Sequence, residues 1–285
     1  MLIYLDAGHG GRDSRGNPVT PGKRTPDGSM LEWEFNSKVA EYVEAELKNY
    51  QNVTVKRSDD RTGRTDVSLS ERTNRANRDK ASVFVSIHAN GYGLGWNSAN
   101  GIETFVYITK PAGAVKLANL VQKHMVNDTG RANRRVKSAN FAVLRTSNMT
   151  AILCECGFMT NRDEATLLKS DSYRRKIAHA IVKGLVECYG LKPIKKEPET
   201  PKQSPGGNVF YRVVTGSFLE KSNGLERIEE LKKKNFSSFL DAYEKNGKTY
   251  FRCITGSFTS RKNALERMAS LDRAGFDSFL DLYKK

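Results

Sequence analysis

Short apolar runs of strand length alternate, along the first two thirds of this sequence, with longer stretches whose apolar residues recur at helical spacing. The strand-sized runs are residues 1–5, 53–56, 83–88, 102–107 and 151–155. The helical stretches are residues 31–50, 69–80, 113–128, 164–168 and 173–189. This alternation predicts an α/β sandwich, in which functional residues lie at the strand ends and in the loops that follow them.

A proline-rich segment divides the chain into two parts. Residues 192–208 contain four of the eight prolines and almost no apolar side chains. Such a composition favours a semi-extended linker. We therefore expect a large domain over residues 1–191 and a separate small module over residues 209–285.

The C-terminal module contains an internal repeat with an offset of 40 residues. Residues 211–218 (YRVVTGSF) return as residues 251–258 (FRCITGSF), and residues 236–243 return as residues 276–283. Between them, each copy has three apolar residues at helical spacing. These are Leu225, Ile228 and Leu231 in the first copy and Leu265, Met268 and Leu271 in the second. Each copy is predicted to form a βαβ-like half, and together they predict one four-stranded sheet with two helices on a face.

The net charge of +15 is spread along the chain, with +8 in residues 1–191 and +5 in residues 209–285. A protein this basic should be drawn to a polyanion. Nucleic acid is one such partner, but the sequence contains no recognisable nucleic-acid module, and acidic residues are interspersed among the basic ones. An anionic bacterial wall, with teichoic acids and peptidoglycan carboxylates, fits the charge equally well.

No apolar run approaches the length of a transmembrane helix. The N-terminal residues lack the basic region of a secretory signal and continue directly into a predicted strand, so we expect synthesis in the cytoplasm without a signal peptide. The four cysteines have neither metal-finger nor disulfide spacing. Cys154 and Cys156 should pack on the strand face opposite Glu155.

Metal-binding or proton-transferring side chains occur where predicted strands meet their loops. His9 lies among glycines after the first strand, and His88 ends the run 83–88. Glu155 ends the run 151–155, where a carboxylate is costly unless it meets a cation or hydrogen-bond donors. Taken singly, His9 could be a turn residue and His88 a core histidine. Gathered in one cleft with a further glutamate, they would form a hydrolytic zinc centre.

Glu32 and Glu34 compete for the place of the carboxylate ligand. Glu32 lies near the centre of an apolar helical stripe that includes Phe35 and Val39, whereas Glu34 falls to its side. We expect Glu32 to face inward, although the helix dipole alone also favours a carboxylate at a helix start. Glu155 is then the general base that activates water and afterwards protonates the leaving amine.

Two further residues are candidates for substrate binding. Asn90 begins a polar, glycine-containing loop beyond the strand that ends at His88. Arg145 could present its planar fork to a substrate carboxylate, and it could equally be a solvated surface arginine.

Taken together, these segments resemble the zinc-dependent N-acetylmuramoyl-L-alanine amidases of the type 3 class, which include bacterial autolysins, sporulation lytic enzymes and phage endolysins. The resemblance covers about residues 1–190 and depends on residues 8–11, 32, 70–77, 86–90, 140–145 and 155–161. It implies a mixed twisted sheet flanked by helices. It also implies that His9, Glu32 and His88 bind Zn²⁺ and that Glu155 is the catalytic acid and base.

The C-terminal repeat is similar to SPOR-type peptidoglycan-binding modules, through its Thr-Gly-Ser-Phe turn and its repeated aromatic ending. This resemblance implies a small α+β module of two βαβ-like repeats. The chain has Thr215 and Thr255 in a region where the commonest pattern tends to carry glutamine. A second departure lies in the large domain, where the polar insert of residues 12–29 between His9 and Glu32 could shape the cleft.

The resemblance implies hydrolysis of the amide between N-acetylmuramic acid and L-alanine in peptidoglycan. The enzyme would reach the wall after phage lysis or lysis of a mother cell. One alternative is a zinc peptidase that acts on stem peptides. A non-catalytic wall-binding protein is another, although it predicts a wrong residue among the four key positions and none is found. A third, suggested by charge alone, is a nucleic-acid-binding protein.

Overall fold

The computed structural model describes residues 1–194, 209–245 and 247–284, which fall into two compact units. The first unit spans Met1–Ile194, and the second lies within Lys195–Lys285. Most of the predicted linker, residues 195–208, lies outside the described residues. The first residues of the predicted linker, 192–194, form hydrogen bonds with the rest of the first unit. Gln51 N–H donates to Lys192 O (2.8 Å), and Ile194 N–H donates to Asn49 O (2.7 Å).

The first unit is built around a six-stranded sheet. Its strands are β1 (Leu2–Ala7), β2 (Thr54–Arg57), β3 (Val83–Asn90), β4 (Ile102–Tyr107), β5 (Asn133–Ala139) and β6 (Thr150–Phe158). Its helices are α1 (Glu32–Leu47), α2 (Leu69–Arg78), α3 (Ala112–Thr129), α4 (Ala142–Arg145), α5 (Arg162–Lys169) and α6 (Asp171–Tyr189). The strand order is β2-β1-β3-β6-β4-β5, and β4 runs antiparallel to β6 while the other neighbours are parallel. The predicted mixed α/β fold is confirmed.

Two elements of this unit were not predicted from the sequence. Strand β5 lies at an edge of the sheet and has mostly exposed or half-exposed side chains, so its sequence, NRRVKSA, lacks an apolar alternation. Charged residues on such an edge discourage pairing with another chain. Helix α4 is a single turn of four residues, too short to show a helical period.

The two faces of the six-stranded sheet are covered differently. Helices α1, α3 and α6 cover one face, where residues such as Ile3, Val85 and Ile152 form the main core. A smaller cluster that includes Phe84 and Leu153 occupies the other face, beside α2 and α4. Strand side chains alternate between faces, so the residue two positions after each member of this cluster lies on the same face. At the carboxyl ends of β1, β3 and β6, the residues on this face are polar. They are Asp6, Ser86, His88 and Glu155.

The second unit is a four-stranded antiparallel sheet with two helices. Its elements are β7 (Val209–Phe218), α7 (Lys221–Lys233), β8 (Phe239–Lys245), β9 (Lys248–Phe258), α8 (Arg261–Arg273) and β10 (Phe279–Lys284). The strand order is β10-β7-β9-β8. Each repeat is therefore a split βαβ unit, with a strand of the other repeat between its own two strands. This confirms the predicted module of two βαβ-like repeats.

The helices of the second unit pack on one face of its sheet through small and medium side chains. Leu231 and Leu271 are fully buried at this contact, and so is Ala264. Leu225 and Leu265, at the start of each predicted helical stripe, are instead 49% and 40% exposed. Across both units, the described residues include no helix long and apolar enough to cross a membrane.

The contact between α3 and α6 depends on Gly184, and we predict that Gly184→Ala destabilises the first unit. A Cβ at this position would lie 2.5 Å from Val121 Cγ2 and 2.9 Å from Val121 Cα, so the two helices would have to separate. We expect a loss of about 1–2 kcal/mol, since overpacking outweighs the better helix propensity of alanine. Urea unfolding followed by tryptophan fluorescence reports this unit alone, because both tryptophans, Trp33 and Trp96, lie within it.

The matched control combines Gly184→Ala with Val121→Ala. If the loss comes from this contact, the double variant should lose less than the sum of the single losses. Strict additivity, or a stabilised Gly184→Ala protein, would contradict the prediction.

Candidate metal centre and catalytic cleft

Three of the residues singled out in the sequence converge at one end of the first unit's sheet. Glu32 Oε1 lies 2.8 Å from His88 Nδ1, and Glu32 Oε2 lies 3.2 Å from His9 Nε2. The two imidazole rings meet edge to face, with centroids 5.1 Å apart. One ligand atom from each residue lies within 4.8 Å of the others, so this group could hold a metal ion.

The end of β1 is shaped to bring the two histidines together. His9 adopts a left-handed backbone conformation with φ of 67°, which is uncommon outside glycine. The preceding Gly8 leaves room for the His88 ring, because a Cβ there would lie 2.0 Å from His88 Cε1. Glycine is therefore required beside His9 for the imidazoles to approach each other.

Glu32 is the first residue of α1 and is only 3% exposed. Its Oε1 accepts hydrogen bonds from Ala89 N–H (3.3 Å) and Asn36 Nδ2 (3.4 Å). Burial alone would raise the pKa of Glu32, but hydrogen bonds and charge interactions with His88 and His9 outweigh it and hold that pKa well below its usual value. Glu34 has another task, since its Oε2 accepts from Leu31 N–H (3.1 Å) and caps the helix.

The donor atoms of this group fit a zinc ion. Two imidazole nitrogens and a carboxylate oxygen form a three-ligand set known from catalytic zinc sites, which keep a fourth position open. Ligands bound about 2.0–2.2 Å from one tetrahedral ion lie about 3.3 Å apart. The contacts of Glu32 with His88 and His9, 2.8 Å and 3.2 Å, are close to that separation.

Glu155 lies on β6, in direct register with His88 on β3, and lines the same cavity as both histidines. Its Oε2 is buried without a hydrogen-bond partner among the described residues. Burial, followed by the charges of Glu32 and Glu103, raises the pKa of Glu155 well above its usual value, and Lys23 offsets this only in part. A buried carboxyl group with a free oxygen can exchange protons with a molecule bound in the cavity.

The cavity beside these residues has a volume of about 460 Å³. Its lining includes the apolar side chains of Leu69, Phe141 and Val143. Lys23, from the polar insert of residues 12–29, also lines it, so this insert contributes to the cleft. The cavity therefore offers an apolar surface and a cation next to Glu155.

The structure does not bring Asn90 and Arg145 into this cavity, because neither is among the described residues that line it. Asn90 Nδ2 donates to Glu103 Oε1 (2.8 Å), and Asn90 Oδ1 accepts from Gly91 N–H (2.8 Å). Arg145 Nη1 donates to Asn140 Oδ1 (2.8 Å). Both side chains are thus engaged in local contacts.

A polar network behind the histidines was not assigned any role from the sequence. Arg72 is 1% exposed and donates to Asp6 Oδ1 (2.7 Å), Ala7 O (2.7 Å) and His9 O (2.8 Å). Burial would raise the pKa of Asp6, but the charge of Arg72 and its hydrogen bonds hold it below the usual value. The sequence feature that could have revealed this network is Asp6, because a carboxylate in an apolar strand requires a buried partner.

The fold, the convergent His/Glu/His group and the adjacent buried glutamate define a hydrolase domain with a candidate metal centre. A family model for N-acetylmuramoyl-L-alanine amidases matches residues 3–187, and a SPOR domain model matches residues 207–280. The chain belongs to the N-acetylmuramoyl-L-alanine amidase family. It is therefore an amidase with a C-terminal SPOR domain, as its sequence resemblance predicted.

Similar proteins include a sporulation-specific N-acetylmuramoyl-L-alanine amidase of Bacillus subtilis, 32% identical over 241 residues, which covers 84% of each chain. An endolysin of Bacillus phage SPP1 is 32% identical over 210 residues, covering 71% of this chain and 70% of the endolysin. Among solved structures, the catalytic domain of the amidase CwlV from Bacillus (Paenibacillus) polymyxa var. colistinus is 31% identical with a TM-score of 0.58. That match covers 67% of this chain and 99% of CwlV's catalytic domain.

The raised pKa of Glu155 predicts that Glu155→Gln stabilises the metal-free protein as pH rises. A carboxyl group whose pKa is higher in the folded than in the unfolded state lowers the stability of the fold at pH values above its unfolded-state pKa, here 4.5. The advantage of glutamine should be small below about pH 4 and should grow toward neutral pH. Urea unfolding with a chelator present, followed by tryptophan fluorescence between about pH 4 and pH 8, measures it.

Glu103→Gln is the control of opposite sign. Burial would raise the pKa of Glu103, but Lys137 and Arg134 lower it, so its charge adds stability above pH 4.5. This variant should lose stability over the range in which Glu155→Gln gains it. A pH-independent effect of Glu155→Gln would refute the interpretation of Glu155.

Proposed function

We propose that this amidase is a zinc enzyme that hydrolyses the amide between N-acetylmuramic acid and L-alanine, and that this reaction lyses the bacterial wall. The observation that carries the proposal is the convergence of His9, Glu32 and His88 at a cavity that both histidines line together with Glu155. Zinc, when bound, supplies a Lewis acid that polarises the scissile carbonyl and makes water nucleophilic near neutral pH. His9, Glu32 and His88 would hold the ion.

In this proposal, Glu155 transfers the proton. Its unpartnered Oε2 takes a proton from the attacking water and returns it to the nitrogen of the leaving L-alanine. Burial, followed by the charges of Glu32 and Glu103, favours the protonated form of Glu155, which suits the second step. A positive ion bound at Glu32 would offset part of that effect, which suits the first step.

The C-terminal unit is proposed to hold the enzyme on its insoluble polymer. Both units carry excess positive charge, which favours association with anionic wall polymers as well as with peptidoglycan. Tethering the amidase in this way raises its effective concentration at the scissile bond. We propose that the protein acts on the wall after release from the cell in which it is made, by phage lysis or by lysis of a mother cell.

Digestion of purified peptidoglycan by the full chain tests the reaction. We expect release of free N-terminal alanine without new reducing ends, because the bond cut is the muramoyl amide. Glu155→Gln should lower the rate by at least about 100-fold. Removal of metal with a chelator should abolish activity, and added zinc should restore it. New N-termini other than L-alanine would favour a peptidase that acts on stem peptides.

The sheet face of the C-terminal unit that the helices leave uncovered is a candidate for the wall-binding surface. Phe239 and Phe279, at equivalent positions of the two repeats, are 46% and 45% exposed. Beside them, Arg212 stacks on Tyr283 and Arg252 stacks on Tyr243, with the guanidinium carbon 3.4 Å and 3.2 Å from the ring centre. Planar, ordered groups of this kind offer contact area at a low entropic cost.

We predict that replacing both Phe239 and Phe279 by alanine weakens binding to insoluble peptidoglycan by about tenfold or more. Pelleting of the full chain with purified walls, in a Glu155→Gln background that prevents digestion, measures the affinity. The matched control replaces Leu225 and Leu265, which have similar exposure on the two helices, by alanine. Equal losses in both double variants would argue against a specific role for the uncovered face.

A further inference from the structure

We propose that Ser86, which is itself held by Asp6 and Arg72, is a positioning residue that fixes the ring of His88 for metal binding. The inference rests on the proposed zinc centre and adds a residue to it. Ser86 lies on β3 two residues before His88, so both side chains project from the same face of the sheet. Ser86 is fully buried.

The hydrogen bonds of Ser86 determine which nitrogen of His88 carries its proton. The Ser86 hydroxyl donates to Asp6 Oδ2 at 2.6 Å, and a serine hydroxyl has a single proton to donate. Its oxygen can therefore only accept from His88 Nε2, which lies 3.1 Å away. When a metal ion occupies the other ring nitrogen, the proton of neutral His88 therefore lies on Nε2, and the lone pair of Nδ1 is left for the ion.

That lone pair points toward the carboxylate of Glu32. His88 Nδ1 and Glu32 Oε1 are 2.8 Å apart, the length of a hydrogen bond. A bound cation would take the place of the proton between these two atoms, and Nδ1 would then be its nitrogen ligand. Ser86 performs the role that carboxylates or carbonyls usually perform behind a metal-bound histidine.

Ser86 is itself held in place by a buried ion pair. Asp6 accepts from Ser58 Oγ (2.6 Å) and Arg72 Nη1 (2.7 Å) at its other oxygen, and all of these side chains are at most 1% exposed. Arg72 also donates to His9 O. The connected side chains of Ser86, Asp6 and Arg72 therefore contact both histidine-bearing segments. A buried ion pair adds little net stability, which favours a role in orientation.

Ser58 provides a matched control for Ser86. Both hydroxyls are fully buried and both donate to Asp6 at 2.6 Å, but only Ser86 contacts His88. Ser58→Ala and Ser86→Ala should therefore cost similar stability. A difference between them in metal binding would report the contact with His88.

The test measures metal binding by the full-length chain, with no assay of activity. We expect Ser86→Ala to weaken zinc affinity by about 10–100-fold, measured in competition with a chromophoric chelator, and to change the visible spectrum of the cobalt-loaded protein. Ser58→Ala should leave both unchanged within about threefold. Ser86→Thr, which keeps the hydroxyl, should restore most of the affinity.

Equal effects of Ser86→Ala and Ser58→Ala would overturn the inference, since both would then act only through Asp6. If Ser86→Ala does not fold, nitrogen-15 NMR of the metal-loaded parent protein decides the question. A proton on Nε2 of His88 supports the inference, and a proton on Nδ1 overturns it. If the parent protein binds neither zinc nor cobalt, the proposed zinc centre fails as well. Normal metal binding in both alanine variants would instead overturn only the inference about Ser86.

Discussion

A carboxylate buried between two imidazoles is the constraint on which the first unit's active end depends. Glu32 is almost fully removed from water, and its partners among the described residues are His9, His88 and two weaker donors. Burying a charge without such partners would cost several kcal/mol. The chain therefore has to bring the end of β1, the start of α1 and the end of β3 together before this carboxylate can be accommodated.

One face of the sheet carries an apolar cluster and, further along the same strands, the polar residues of the site. Phe84, near the start of β3, and Leu153, near the centre of β6, belong to an ordinary apolar cluster. Two residues further along each strand, the same face carries Ser86 and Glu155, which belong to the polar end. Strand alternation alone thus places Ser86 and Glu155 on the same face at the polar end, and the antiparallel β4 adds the charge of Glu103 next to Glu155.

Much of this arrangement could be predicted from the sequence, because long periodic segments and strand ends leave clear local signals. The apolar stripe of α1 predicted that Glu32 rather than Glu34 faces inward, and the structure has Glu32 buried and Glu34 capping the helix. Strand β5 left no such signal, since an exposed edge needs no apolar residues. The links from Arg72 to Asp6 and to the histidine segment join residues 66 and 63 positions apart, and a local pattern cannot reveal such contacts.

The interlocked strands of the C-terminal unit make its two repeats depend on each other. Because the two strands of each repeat are separated by a strand of the other, one copy alone would have no continuous sheet. The unit thus has the twofold arrangement of a symmetric homodimer, with both halves in one chain. Its paired arginines, Arg212 and Arg252, make identical 2.7 Å bonds to Asp241 and Asp281. A linear polymer crossing that face would meet equivalent half-sites whichever way it ran.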